Sequence, residues 1–222
     1  IELPEDIAKK EIGDLPITPA VVRRPAADHK AVVAAVDAIM GAKNPIILAG
    51  NGAIRKRAAT QLQRLAHNTG IGVVNTFMGK GALPMTDEHC LYTMGLGSGD
   101  YNNLAFDDAD VVITVGYDLV EYSSDAWNRK PGKTIVHMDF QPAEVDKDFQ
   151  VAVDIVSDLA DALWQINEEL EKPRILYNEL LESPDYIESI LCKGAIKARN
   201  HSASLLKKIN ISMGLQPLEI RN

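Results

Sequence analysis

The 222-residue sequence lacks the features that mark nucleic-acid-binding, membrane-spanning and disulfide- or metal-stabilised proteins. Its basic residues are scattered and its net charge is −8, which disfavours contact with a phosphate backbone. Its apolar runs are far shorter than the roughly 20 residues that cross a bilayer. The two cysteines, Cys90 and Cys192, lie far apart, and the five histidines show no metal-ligand spacing. We therefore expect no nucleic-acid partner, no membrane and no metal site in this chain.

The start of the chain also lacks the pattern of a secretory leader. Glu2, Glu5 and Asp6 stand where such a leader has its apolar segment. Two widely spaced cysteines are typical of reduced thiols rather than of a disulfide framework. The expected location is the cytoplasm, and the length suits one well-buried core.

The pattern of apolar residues divides the chain into three parts. Residues 1–27 contain Pro4, Pro16, Pro19 and Pro25 and are typical of an arm or linker. Between residues 28 and 171, apolar runs of strand length alternate with helical patterns. The predicted strands are 45–49, 72–75, 110–115, 133–139 and 152–156, and the helices between and after them are 28–41, 54–68, 101–108 and 158–170. Asp28 is expected to cap the first of these helices and Gly70 to end the second, and Trp164 is expected to face inward on the last. His137 lies inside a predicted strand and is expected to be a satisfied strand histidine.

This alternation predicts an α/β fold, a doubly wound parallel sheet of about five or six strands with helices on both faces. Past residue 172 no strand pattern occurs, and the segments 175–181 and 186–208 predict helices. The fold is therefore expected to carry a helical C-terminal extension.

Glycines cluster where predicted strands end, and there they leave room for a ligand to approach the backbone. Because ligands of doubly wound sheets collect at the carboxyl ends of the strands, we take these turns as a candidate ligand edge. The candidate cofactor-binding residues are Gly50, Asn51, Gly52, Gly79, Lys80, Gly81, Gly116 and Tyr117. Neither a dinucleotide fingerprint nor a phosphate-binding loop of the G-x-x-x-x-G-K-[ST] type is present, so plain tight turns remain an alternative. No catalytic or metal-ligating residue is predicted, and His89 is expected to stabilise a turn.

Two motifs carry a resemblance to a known family. Gly79 to His89 reads G-K-G-x-x-P-x-x-x-x-H and is followed by Gly95 and Gly97, and Ala109 to Asn128 reads A-D-V-V-I-T-V-G-Y-x-x-V-E-Y-x-x-x-x-W-N. In this order they resemble the central domain of thiamine-diphosphate-dependent acetolactate synthases, and the catabolic, non-flavin branch fits best.

The resemblance implies a three-part plan. Residues 1–27 would be the linker from a missing pyrimidine-binding domain, 28–171 the central Rossmann-like domain, and 172–222 a helical linker to a missing diphosphate-binding domain. The full-length parent would decarboxylate pyruvate and form 2-acetolactate with thiamine diphosphate and Mg²⁺, as a homo-oligomer, a dimer or tetramer. The chain alone would be inactive and would bind no cofactor.

The resemblance also bears on FAD. The flavin-containing branch has G-x-R-F-D-D-R after the third predicted strand, whereas this chain has Gly116 to Tyr122 without an arginine. FAD is therefore disfavoured. Two other classes stay open: a free-standing FAD- or NAD-binding module of the same fold, and a non-catalytic assembly subunit whose helical tail, residues 173–210, holds a partner chain.

Overall fold

The fold is built on one six-stranded sheet in which every pair of neighbouring strands is parallel. The computed structural model describes residues 4–11, 13, 18, 24–95, 97 and 100–215. The strands are β1 (Pro45–Ala49), β2 (Gly72–Thr76), β3 (Cys90–Met94), β4 (Val111–Val115), β5 (Thr134–Asp139) and β6 (Val153–Val156). Their order, β3-β2-β1-β4-β5-β6, is that of a dinucleotide-type doubly wound sheet. The predicted fold class is confirmed.

Helices cover both faces of this sheet. They are α1 (Glu5–Ala8), α2 (His29–Gly41), α3 (Lys56–Thr69), α4 (Asn103–Asp108), α5 (Ser124–Trp127), α6 (Leu159–Leu181) and α7 (Pro184–Ser212), with a short 3-10 helix at Asn51–Ile54. One apolar cluster joins α2, α3 and α6 to the sheet. The second lies on the other face and centres on Phe106, Tyr117, Trp127 and Phe149.

Burial explains why the central strands have continuous apolar sequences. All five residues of β4 are buried, because β1 and β5 flank it and helices cover both its faces. Local signals fix the helix ends. The Asp28 carboxylate accepts a hydrogen bond from the Ala31 N–H at the start of α2, and Gly70 ends α3 in the left-handed conformation at φ 74°.

Three details differ from the sequence-based expectations. The edge strand β3 was missed, because its five residues lie inside the glycine-rich stretch and only its two ends are buried. Trp164 was expected to face inward, but it is 47% exposed on α6. Two separate helices were expected around Pro173, whereas α6 runs through it.

The continuity of α6 has a structural reason. A proline inside a helix removes one backbone donor, but the side chains on either side of Pro173 contact α3. Glu171 pairs with Arg64 at 2.8 Å, and the Arg174 guanidinium donates to the Asn68 carbonyl at 3.1 Å. These contacts hold both sides of the proline against the same neighbouring helix. Among the described residues, no helix is both long enough and apolar enough to cross a membrane.

Candidate ligand edge of the sheet

The loops after β1, β2 and β4 meet at the carboxyl edge of the sheet, where the strand order reverses. The Gly50 N–H donates to the Val115 carbonyl and the Gly52 N–H to the Gly116 carbonyl, both at 2.9 Å. The edge expected from the glycine turns is therefore a region where backbones of different strands touch.

Close packing explains the glycines at this edge. A Cβ on Gly50 would lie 2.4 Å from the Gly116 carbonyl oxygen, and one on Gly79 would lie 2.1 Å from the Ala49 carbonyl oxygen. Gly116 has φ 59° and would place a Cβ 2.5 Å from the Gly52 Cα. Real Cβ atoms do not approach backbone atoms this closely, so none of these positions accepts a side chain without backbone movement. The glycines pack against one another and leave no open cradle between them.

A carboxylate of the chain itself accepts hydrogen bonds from the donor groups at this edge. Both Glu121 carboxylate oxygens accept from the Asn51 N–H, at 2.9 and 3.0 Å, and Oε2 also accepts from the Thr76 hydroxyl at 2.7 Å. The buried Thr76 hydroxyl in turn accepts from the Gly79 N–H at 2.8 Å. Glu121 thereby links the loop after β4 to the ends of β1 and β2. It also takes the position where an external anion would meet the Asn51 N–H.

Tyr117 belongs to the core beside this edge. It is 2% exposed, and its hydroxyl donates to the Tyr122 carbonyl at 2.5 Å and accepts from the Trp127 indole at 3.1 Å. Burial raises the pKa of the Tyr117 phenol, and nearby carboxylates raise it further. The phenol stays neutral and positions the loop that carries Glu121.

The remaining predicted edge residues are open to solvent. Lys80 is exposed, and within the described chain it has no hydrogen-bond or ion-pair partner. Gly81 adopts φ 98°, and a Cβ at this position would meet no atom within 4 Å. Glycine is favoured here only because of its positive φ. The structure therefore brings Gly50, Gly52, Gly79 and Gly116 together and leaves Lys80 and Gly81 at the periphery.

A cavity of about 460 Å³ lies beside the edge, at the carboxyl ends of β4 and β5. This volume is in the range of small-molecule sites. Tyr117 is the one predicted edge residue in its lining, which also includes His137 and Phe149 and the carboxylates of Asp118, Asp139 and Glu144. Three carboxylates and no lysine or arginine favour a neutral or cationic occupant over a phosphate.

His137 is the buried titratable group of this cavity. It is 3% exposed, its Nδ1 lies 2.8 Å from the Thr114 hydroxyl, and its ring meets Phe149 edge-on. Burial lowers the pKa of His137, and the carboxylates of Asp154, Asp139 and Asp118 oppose that shift. The imidazole is therefore held in its neutral form, as expected for a satisfied strand histidine.

Sequence reasoning overlooked a group of basic residues at the same edge. Arg24, Arg55 and Arg57 line a cleft between the N-termini of α3 and α6, together with Asp139 and Asp158. Arg24 pairs with Asp158 at 2.9 Å. The cleft has a volume of about 60 Å³, far below the roughly 300 Å³ of a small ligand pocket. The consecutive basic residues at 55–57 were the available signal.

His89 lies in the turn before β3, and the hydrogen bond that stabilises this turn is made by its backbone rather than by its imidazole. Its backbone N–H donates to the Asp87 carboxylate at 3.0 Å, and the other oxygen of that carboxylate lies 2.8 Å from the His67 ring. The interaction joins the loop before β3 to α3. Among the described residues, no group of three or more His, Cys, Asp or Glu side chains could hold a metal ion.

Comparison with known proteins gives one family. Residues 32–166 match the family described as "Thiamine pyrophosphate enzyme, central domain". Similar proteins include the acetolactate synthase large subunit of Parasynechococcus marenigrum, 31% identical over 76% of this chain and 28% of the relative. The acetolactate synthase of Bacillus subtilis is 31% identical over 67% of this chain and 26% of the relative. The glyoxylate carboligase of Escherichia coli is 30% identical over 78% of this chain and 30% of the relative.

The matched region coincides with the folded core. It runs from the first turn of α2 into the third turn of α6 and contains all six strands. The chain spans between a quarter and a third of the length of the relatives it matches.

Proposed function

The chain belongs to the thiamine pyrophosphate enzyme family, whose central domain it matches, and we propose that it is the central domain of an acetolactate synthase. The observation that carries this proposal is the similarity to two acetolactate synthases, each 31% identical, over 76% and 67% of this chain. In the full-length protein, one pyruvate would lose CO2, and the remaining two-carbon unit would be joined to the carbonyl carbon of a second pyruvate to give 2-acetolactate.

We assign a structural role to this chain within that enzyme. Thiamine diphosphate is bound through its diphosphate and Mg²⁺, which prefers several oxygen ligands. The described residues do not fit that requirement, because they contain no cluster of acidic side chains or histidines that could hold a metal. The flanking parts of the parent would bind the cofactor and perform the chemistry, and residues 1–27 and 172–222 would lead into them.

We propose further that this domain carries no FAD. At the switch point, the Asn51 N–H already donates to the Glu121 carboxylate, and the glycines of the neighbouring loops are packed against one another. A flavin diphosphate would have to displace a negatively charged side chain that ties three loops together. Its negative charge would be repelled by the same group.

The parent is proposed to use Mg²⁺, to be a homo-oligomer and to work in the cytoplasm. The use of Mg²⁺ and the homo-oligomeric state are what the resemblance of the sequence to the family implies. Support for the third comes from Cys90 and Cys192, which are both free thiols, one buried and one exposed.

A second candidate activity is glyoxylate carboligation, which is favoured by the similarity to the glyoxylate carboligase. Both candidates join two 2-oxo acids, and residues outside the central domain would select between pyruvate and glyoxylate.

The decisive experiment compares the purified full-length parent with the 222-residue chain. The parent is assayed with pyruvate and with glyoxylate, in the presence of thiamine diphosphate and Mg²⁺, and both proteins are titrated calorimetrically with the cofactor. We expect 2-acetolactate formation and cofactor binding by the parent only. A parent that consumes neither substrate would refute the proposed activity, and cofactor binding by the short chain would refute its structural role. A free-standing nucleotide-binding module would instead be indicated by tightly bound FAD or NAD.

A further inference from the structure

The cavity at the carboxyl ends of β4 and β5 contains a nitrogen that the described chain leaves without a partner. His137 lines this cavity and is 3% exposed, and its Nδ1 lies 2.8 Å from the Thr114 hydroxyl. Within the described residues, its Nε2 makes no hydrogen bond. Since Nδ1 is held against β4, the ring turns its Nε2 side to the cavity. Buried polar groups are normally hydrogen-bonded, so this nitrogen points to a bound molecule as its partner.

The contacts of Thr114 determine the role of Nε2. The Thr114 hydroxyl also lies 3.5 Å from the Val136 carbonyl, which can only accept a hydrogen bond. A hydroxyl has one proton to donate. Both contacts are satisfied only if the hydroxyl donates to the carbonyl and accepts from the Nδ1–H of His137. Because burial lowers the pKa of His137, the imidazole is neutral, and Nε2 then has a lone pair and acts as an acceptor.

The charged groups that line the cavity are carboxylates, those of Asp118, Asp139 and Glu144. The backbone orients two of them. Asp118 Oδ1 accepts from the Val120 N–H at 2.8 Å, and Asp139 Oδ1 accepts from the two backbone N–H groups that follow it. In the part of the chain that the structure describes, Oδ2 of each has no hydrogen-bond or ion-pair partner. Burial lowers the pKa of His137, and both carboxylates lie close enough to it to oppose that shift.

The remaining features of the cavity exclude a metal ion and favour an organic one. Leu119, Ala143 and the buried ring of Phe149 give the lining an apolar part. No three His, Cys, Asp or Glu side chains among the described residues could hold a metal ion. The volume of about 460 Å³ is that of a site for a small organic molecule. An occupant that matches this lining has positive charge, N–H donors and an alkyl group.

We propose that this cavity binds an alkylammonium ion, whose N–H groups donate to His137 Nε2 and to the carboxylates of Asp118 and Asp139. Its alkyl group would contact Leu119 and Phe149. The carboxylates would repel an anion, an alcohol could donate only one hydrogen bond, and a quaternary ammonium ion has no N–H group. The proposal depends on residues of this chain alone and is independent of the reaction of the parent.

The first test titrates the 222-residue chain with n-butylammonium chloride and follows the His137 imidazole in long-range ¹H–¹⁵N NMR spectra. His137→Gln identifies the signals. Before titration, Nε2 should have the chemical shift of a nitrogen that bears a lone pair. Butylammonium should shift this signal saturably, with a Kd of about 1 to 10 mM for a ligand of this size. Butan-1-ol, butanoate and tetramethylammonium should leave it unchanged over the same range of concentration.

The second test uses two substitutions at opposite ends of β4. Asp118→Asn keeps Oδ1 for the Val120 N–H but removes the charge, and it should weaken butylammonium binding about 10-fold, the effect of one hydrogen bond to a charged group. Asp108→Asn removes the same charge from an exposed residue at the amino end of the strand and should leave the Kd unchanged. Circular dichroism verifies that both variants are folded.

Four results would overturn the proposal. An Nε2 that bears the proton in the free chain would not be an acceptor, and the absence of a saturable shift would mean that no ammonium ion binds there. Equal binding of butan-1-ol would show an apolar cleft without selection for charge. Equal Kd values for Asp118→Asn and Asp108→Asn would place the cation elsewhere or attribute its binding to net charge. None of these measurements involves catalysis, so they do not depend on the activity of the parent.

Discussion

Several charged residues lie exposed or half-buried at the carboxyl edge of the sheet. Among single substitutions of these residues, we expect Glu121→Ala to destabilise the chain most. The carboxylate receives two donors, the Asn51 N–H at 2.9 Å and the Thr76 hydroxyl at 2.7 Å. A hydrogen bond to a charged group contributes about 1.5 to 3 kcal/mol. Water can replace the carboxylate at the exposed Asn51 but not at the buried Thr76 hydroxyl. We therefore expect a loss of about 2 to 3 kcal/mol of unfolding free energy.

The interaction between the two side chains can be isolated in a double-mutant cycle. Thr76→Val removes the hydroxyl and also the acceptor for the Gly79 N–H, so its own cost includes both contacts. The coupling between Glu121→Ala and Thr76→Val reports the 2.7 Å contact alone and should be about 1 to 2 kcal/mol. Urea unfolding followed by circular dichroism measures all four proteins.

The control is Glu179→Ala on α6, an exposed carboxylate for which the described chain contains no hydrogen-bond partner. It removes the same charge and should change stability by no more than about 0.5 kcal/mol. The reasoning is refuted if Glu121→Ala behaves like this control. It is also refuted if the cycle is additive within about 0.5 kcal/mol, because the carboxylate and the hydroxyl would then be uncoupled.

Three other expectations follow from the site. Gly79→Ala should prevent folding or lower the unfolding free energy by more than about 3 kcal/mol, because its Cβ would meet the Ala49 carbonyl. Gly81→Ala should lower it by about 1 kcal/mol, because only the positive φ opposes a side chain there. Equal thermal unfolding of the two variants would contradict this. Burial lowers the pKa of His137 in the folded chain, so the unfolded chain takes up this proton first as the pH falls below about 6.5. The wild type should therefore lose stability below that pH, and His137→Gln should lose less. Parallel pH profiles of the unfolding free energy from urea melts would show that the imidazole does not contribute. The purified chain should show no flavin absorbance near 450 nm and no flavin on acid extraction, and stoichiometric FAD would show that the Glu121 arrangement opens.

Sequence patterns were sufficient for features that depend on neighbouring residues. The apolar runs of β1, β2, β4 and β5 identified strands because strands inside a parallel sheet are buried on both faces. The edge strand β6 was also predicted, although only Ile155 of its four residues is buried. Helix ends could be predicted at Asp28 and Gly70, since capping depends on a few consecutive residues. The family likeness rested on glycine and aromatic spacing, and the family match over 32–166 agrees with it.

The strand β3 and the inward face of α6 were not determined locally. Cys90–Met94 pairs only with β2 and is shifted in register, so its residues have no continuous apolar pattern. Trp164 has the hydrophobicity of a core residue, yet only the packing of α6 against α3 decides that its indole stays half exposed.

The tertiary structure also decided the character of the candidate site. The sequence placed glycines at the strand ends, and open turns and packed turns have the same local signature. Only the strand order brings Gly50 against Gly116 and Glu121 to the Asn51 N–H, a residue 70 positions away. Such contacts depend on which strands are neighbours in the sheet rather than on which residues are adjacent in the chain. The sequence by itself could therefore identify this edge as a candidate, but it could not show that the protein's own carboxylate lies there.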